Sequence, residues 1–305
     1  YMHVIKGKSN NTITAYKADL CMFFRFIKIR FRLVPKSINF DDIIINDIDD
    51  DLIKKISLPD MYSFIAYVEN YRNNSNYAKA RKIAALKSFF KYLTNKAKIL
   101  KENPALELET PKIDRRNPIY LTLEESEKLL SSISGRNAER DYCIITLFLN
   151  CGLRLSELCS INISKIKEDT LSVVGKGNKE RTIYLNRSCI NAIKKYINVR
   201  NKYIDKIKDK DALFISQKYG RINKRTVELL VKKYIVLSGL NKDKYTPHKL
   251  RHTAATLMYK YGKVDIRSLQ KILGHENVST TQIYTHVDDE ELREAVNSNP
   301  LNDIK

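Results

Sequence analysis

Leu273-Gly274-His275, followed by Ser279-Thr280-Thr281-Gln282-Ile283-Tyr284, is the stretch on which the reading of this chain turns. A histidine stands behind a glycine, and a tyrosine follows in a run of small hydroxylic and polar residues. Upstream lies His248-Lys249-Leu250-Arg251-His252, and about a hundred residues earlier Gly152-Leu153-Arg154-Leu155-Ser156-Glu157-Leu158. Two arginines, histidines and a tyrosine on three separate elements are the groups needed to hold a phosphodiester and attack it with a phenol. A planar guanidinium donates two hydrogen bonds to non-bridging oxygens. Arg154 and Arg251 are the expected clamps, and Glu157, one helical turn on, can orient Arg154. Arg251 lies three residues after His248, so both share one helix face.

His248 is placed to bond the same phosphate or take the nucleophile's proton, and His275, opening a short element after Gly274, to add a donor. Tyr284 is the expected nucleophile. A phenol with a pKa of ~10 is ionised about one part in a thousand at pH 7, so activation must offset roughly 4 kcal/mol. A single preorganised donor contributes about 2.7–4 kcal/mol in comparable sites. Lys176 lies between glycines in a turn, where it can reach a groove and protonate a leaving 5′ oxygen, or simply be solvated. His248-x-x-x-His252 also has the spacing of a zinc-binding helix, but Lys249 stands where that motif needs glutamate. No metal and no cofactor are expected.

The formal charge is +20 with a pI near 9.6, which favours an anionic polymer as partner; solubility alone is the bland alternative. Both the first 105 residues and the remainder are basic. At 43% hydrophobic the chain can bury real cores, and 305 residues suit two domains. Cys21, Cys143, Cys151, Cys159 and Cys189 form no CxxC pair and read as buried hydrophobes in a reducing compartment. No apolar run approaches ~18 residues, so no membrane span is expected, and no signal peptide is visible; the expected location is cytoplasmic, at the nucleoid.

Helical spacing runs over 11–31, 61–71 and 78–93, the last with a stripe of Ile83, Leu86, Phe90 and Leu93 and a solvated basic side. An acidic stretch, Asp41–Asp51, reads as a loop with a short element. Pro104, Pro111 and Pro118 mark a linker over 106–118. Thr122-Leu123-Glu124-Glu125 is a capping box opening a second domain, with helices over 122–133, 139–150 and 156–161. Leu171–Val174 and Arg181–Leu185 flank a Gly-Asn turn and read as a hairpin. Helices resume from 188, clearest over 227–237 and 249–261. The expectation is a mainly α protein: an all-α domain over 1–105 and a mixed α/β, mostly α, domain over 119–305 with a small β-sheet.

These motifs, with Gly175-Lys176-Gly177-Asn178-Lys179-Glu180-Arg181 and Arg81-Lys82-Ile83-Ala84-Ala85-Leu86-Lys87, resemble the tyrosine recombinases of the phage-integrase family, most closely the bacterial Xer recombinases. The resemblance implies a core-binding domain at 1–105 and a catalytic domain at 119–305. It implies that Arg154 and Arg251 hold the scissile phosphate, Lys176 is the general acid, His248 and His275 assist, and Tyr284 forms a 3′-phosphotyrosyl link without metal or nucleotide. Lys79, Arg81, Lys87, Lys179, Arg181 and Lys224 are the expected DNA contacts. The implied partners are a double-stranded recombination site and a homo- or hetero-tetramer exchanging strands through a Holliday junction. Helix 288–296 would dock on a neighbouring protomer, and a second Xer-type recombinase and a septal DNA translocase would take part. Resolution of chromosome or plasmid dimers is the implied role. The acidic stretch lengthens the first domain beyond the simplest Xer pattern, and no arm-site domain is expected before Ser9. Integration or excision of a mobile element, a type IB topoisomerase and an inert DNA-binding protein are the alternatives.

Overall fold

The computed structural model describes residues 7, 10–35, 37–112, 118–175, 180–262, 264–275 and 277–284. The chain divides into two compact units, 1–115 and 116–305.

The first unit is helical: α1 (Asn10–Arg30), α2 (Asp50–Lys54), α3 (Leu58–Asn70) and α4 (Asn76–Asn95). Ser57 and Asp60 close a reciprocal cap at the start of α3, and the Ser75 side chain caps α4. Phe23 of α1 is the centre of the core. It meets Phe64 of α3 edge-on at 5.2 Å and Phe90 of α4 at 6.2 Å, geometries that suit the ring quadrupoles. The acidic stretch is pinned to α1, because Lys28 Nζ donates to the Ile44 carbonyl at 3.0 Å and pairs with Asp47 at 2.7 Å. Ala105 and Leu108 are sealed in this core, and Tyr62 Oη donates to the Glu107 carbonyl. The first residues of the proline-marked stretch are therefore packed, not a free connector.

The basic side expected of α4 is only partly solvated. Lys79 is buried and paired with Glu69, and Lys82 is buried 3.2 Å from Asp19. Stepping back four residues from Ile83 and from Leu86 lands on these two lysines, so helical geometry puts them on the packed stripe. Arg81 also meets Asp19, at 3.1 Å, but stays exposed.

The second unit opens with α5 (Leu123–Ser131), where Thr122 and Glu125 form the expected capping box. At its centre is α6 (Ala138–Cys151), an apolar helix buried from Cys143 through Leu149. Around it lie α7 (Leu155–Cys159), α8 (Arg187–Asn201), α9 (Lys224–Leu237), α10 (Pro247–Gly262) and α11 (Ile266–Leu273). A three-stranded antiparallel sheet, β1 (Ile166–Lys167), β2 (Thr170–Val174) and β3 (Glu180–Tyr184), pairs Leu171 with Ile183 and Val173 with Arg181. Strand alternation turns Leu171, Val173 and Ile183 to the core. The short first strand and α11 are additions to the sequence reading; the hairpin and the helices around it are as expected. The Thr253 hydroxyl accepts from the Leu121 amide at 2.9 Å, fastening the start of the unit to α10. Two 3₁₀ turns, Val278–Thr280 and Gln282–Tyr284, close the described chain. No helix among the described residues is long and apolar enough to cross a membrane.

Candidate active site

Two glycines build the arginine pair. Gly152 ends α6 in the left-handed region, at φ 58°, and its carbonyl accepts from Arg251 Nη1. Gly274 ends α11 at φ 64°, and its carbonyl accepts from Arg154 Nη2 at 2.7 Å. Arg251 Nη2 also donates to the Leu273 carbonyl at 2.6 Å. Each guanidinium is thus aimed by backbone that only a tight left-handed turn provides. A Cβ on Gly152 would lie 2.8 Å from Leu273 Cδ2, and Leu273 is fully buried. Gly152→Ala is therefore expected to destabilise the fold by at least the ~1–2 kcal/mol of a left-handed L-residue, read as a lowered thermal midpoint.

Glu157 joins three cations. Its carboxylate accepts from the Arg154 amide at 2.7 Å, Arg154 Nη1 at 2.8 Å and Arg181 Nη2 at 3.0 Å, with Arg251 Nη1 at 3.8 Å. Burial pushes its pKa up, but the Arg181 and Arg154 contacts outweigh that and hold it below the ordinary carboxylate value. Three guanidiniums around one carboxylate leave an uncompensated positive charge in a largely desolvated place. Burial first, and Arg154 second, bring Arg251 down to about 10.

Arg154, His248, Arg251, His275, Lys224 and Thr280 line one cleft of about 670 Å³. His248 is held below its ordinary pKa by burial and then by Arg251. His275 is pushed down to about 4 by burial and the neighbouring arginines, so both imidazoles are neutral at pH 7. His275 Nδ1 sits 2.9 Å from the buried Thr281 hydroxyl. It follows the Gly274 turn that ends α11; it does not open an element of its own.

Four of the six expected site residues thus converge. Lys176 lies outside the described residues, as do Lys179 and residues 288–296, where a helix is expected. Tyr284 lies beside the cleft. Its ring is buried with Ala255, Leu269 and Leu273, it does not line the cleft, and its hydroxyl lies 2.6 Å from His252 Nδ1. Burial raises its pKa to about 12, with Arg251 pulling the other way. His252, seen in the sequence only as half of a zinc-like pair, is thus the phenol's partner. Among the described residues no three His, Cys, Asp or Glu side chains converge as a metal site.

Arg181, expected at the DNA, is turned inward. Its guanidinium donates to the Ile272 carbonyl and to Glu157, because β3 places it on the same face as buried Ile183. Lys79 is likewise occupied by Glu69. Lys224, at the first turn of α9, faces the cleft, and Lys87 carries no ion pair among the described residues.

A basic, mostly helical unit that presents two guanidiniums and two neutral imidazoles to an anion, with a sequestered phenol beside them, has the parts to break and remake phosphodiesters through tyrosine. Residues 120–291 match the phage integrase family, and the chain belongs to that family. It is 60% identical over 301 residues to the tyrosine recombinase XerC of Caldanaerobacter subterraneus subsp. tengcongensis, covering 99% of this chain and 85% of that protein. Among solved structures it is similar to the XerA recombinase, at 30% identity and a TM-score of 0.52, covering 95% of this chain and 92% of that one. The fold is shared with the XerH site-specific recombinase in a post-cleavage complex with palindromic difH substrate, at a TM-score of 0.72 and 24% identity, covering 94% and 79%. The chain is a site-specific DNA recombinase of the tyrosine type.

Proposed function

We propose that Arg154 and Arg251 grip the scissile phosphate of a duplex recombination site and that Tyr284 is the nucleophile. The observation that carries this is the cleft in which both guanidiniums and both imidazoles converge around an excess of positive charge. The phenolate oxygen bonds to phosphorus as the 5′ oxygen leaves, giving a 3′-phosphotyrosyl link. Lys176 protonates the departing 5′-hydroxyl, His248 assists proton transfer, and His275 supports the phosphate. Attack by a 5′-hydroxyl of the partner duplex reverses the step, so the diester energy is kept and no cofactor is consumed. Two guanidiniums replace water around the developing charge, the largest single contribution in such sites.

In this reading four protomers exchange strands through a Holliday junction, with helix 288–296 docking on a neighbour. The tetramer is built from this chain alone or shared with a second Xer-type recombinase, with a septal translocase as the candidate activator, in the cytoplasm. The role is resolution of chromosome or plasmid dimers, favoured over mobile-element transfer by the near full-length similarity to a XerC protein. Lys224, Lys87, the exposed Arg81 and Lys179 are the DNA contacts that remain from the sequence reading.

The test begins with footprinting on the host's replication-terminus region to find a site. A nicked substrate carrying that site is expected to trap a covalent adduct, undiminished by chelator. Relaxation of a plain supercoiled plasmid as fast as one bearing the site would instead favour a topoisomerase, and loss of activity with chelator would restore a metal.

A further inference from the structure

The hydroxyl of Tyr284 and the ring of His252 form a closed pair. Nδ1 and Oη are 2.6 Å apart, and Tyr284 is only 5% exposed. Desolvation, followed by the charge or proximity of His248, Lys249 and Arg251, keeps His252 unprotonated, with a pKa near 4. The phenol holds its own proton to about 12. The phenol has no other hydrogen-bond partner among the described residues, so its proton is satisfied when it donates and Nδ1, in the Nε2–H tautomer, accepts. His252 lies one helical turn after His248 on α10, with ring centroids 4.5 Å apart, yet only His248 lines the cleft. The reacting oxygen is therefore committed to a partner outside the cleft, inside a small apolar cluster of Ala255, Leu269 and Leu273.

We infer that His252 is a positioning residue that parks Tyr284 away from the phosphate site, its Nδ1 accepting the phenolic hydrogen bond until DNA assembly draws the tyrosine into the cleft. The inference rests on Tyr284 being the nucleophile. Physically, a buried hydroxyl must be bonded or pay for desolvation. The pocket that hides the ring therefore needs an acceptor at this point, and His252 supplies it. A phosphate held by Arg154 and Arg251 competes for the phenol only when it is present, so the restraint acts chiefly on the DNA-free protein.

The test uses the full chain with three substitutions chosen by atom position. The Asn carbonyl oxygen occupies the place of Nδ1, whereas the Gln amide reaches toward Nε2, so His252→Asn keeps the acceptor and His252→Gln displaces it. His252→Leu removes it altogether. Two readouts are taken: tetranitromethane nitration of Tyr284 in DNA-free protein, by peptide mass mapping, and the rate of adduct formation on a nicked single-site substrate. The Gln and Leu variants are expected to raise both about fivefold, the fold-change of one net neutral hydrogen bond, with Asn returning both to within twofold of wild type. A purely structural role would lower the adduct rate and leave Asn no better than Gln. Unchanged nitration, or an adduct rate at or below wild type in Gln and Leu, overturns the inference. Should Leu not fold, the Asn and Gln pair decides alone. If no protein, wild type included, forms adduct, the nucleophile assignment fails, while the nitration ratios still decide whether His252 holds Tyr284.

Discussion

Tyr284→Phe is expected to abolish the covalent protein–DNA adduct on a nicked substrate while leaving footprinted binding to the recombination site unchanged. The phenyl ring keeps its packing against Ala255, Leu269 and Leu273, so the cluster that buries it persists. What disappears is one oxygen, and with it the only nucleophile proposed for the reaction. The loss should be total, because no water or neighbouring hydroxyl can form a phosphotyrosyl bond. The resting phenol, at about 12, is ionised far less than a free one at pH 7. At about 1.4 kcal/mol per unit, its parked state is roughly 7 kcal/mol from phenolate. In the proposed reaction, attack follows movement toward Arg154 and Arg251, whose charges favour the anion. Denaturing gels with radiolabelled substrate report the adduct, and adduct formed by the Phe protein would end the assignment of Tyr284.

Glu157→Gln is expected to be the most damaging single change outside the reacting groups. The carboxylate is almost wholly buried and takes hydrogen bonds from Arg154 and Arg181, with Arg251 beside it. Gln matches its shape but strands three guanidiniums in a poorly solvated place. Removing one member of a buried ion network typically costs ~3–5 kcal/mol, and urea unfolding at pH 7 should show a loss of that order. The pH dependence has a definite sign. The folded pKa lies below the ordinary carboxylate value, so the contribution is complete above that ordinary value and fades as pH falls through the folded one. The gap between wild type and Gln should therefore narrow in acid. In the surviving folded protein Arg154 loses its Nη1 anchor, and adduct formation should fall by about 10²–10³, the effect of misplacing one preorganised donor. A Gln variant with wild-type stability at pH 7 would show that the three arginines need no central anion.

The arginines and histidines of the cleft were legible because their chemistry sits in short local patterns. Gly152 before Arg154, and His248 three residues from Arg251, declare a turn and a helix face without reference to the rest of the chain. Glu157 was legible for the same reason, one turn from Arg154, though its grip on Arg181 was not. By charge alone Arg181 and Lys79 belong at the surface. Strand alternation with Ile183 and the four-residue step from Ile83 were present in the sequence and pointed inward. The pairing of Lys82 with Asp19, 63 positions earlier, had no local signal.

The arginines and histidines proposed for the reaction, and the mainly helical fold with its small sheet, are legible in the sequence itself, since capping, periodicity and motif spacing are short-range properties. Where those groups stand relative to one another was decided only by tertiary packing. α10, α11 and the turn after α6 bring two glycine carbonyls to two arginines, and the same packing leaves Tyr284 bonded to His252 beside, not within, the cleft. Spacing along a chain says which side chains share a helix face. Whether a phenol meets a phosphate site or a neighbouring imidazole depends on how separate elements are packed, and that is set by burial across the whole unit.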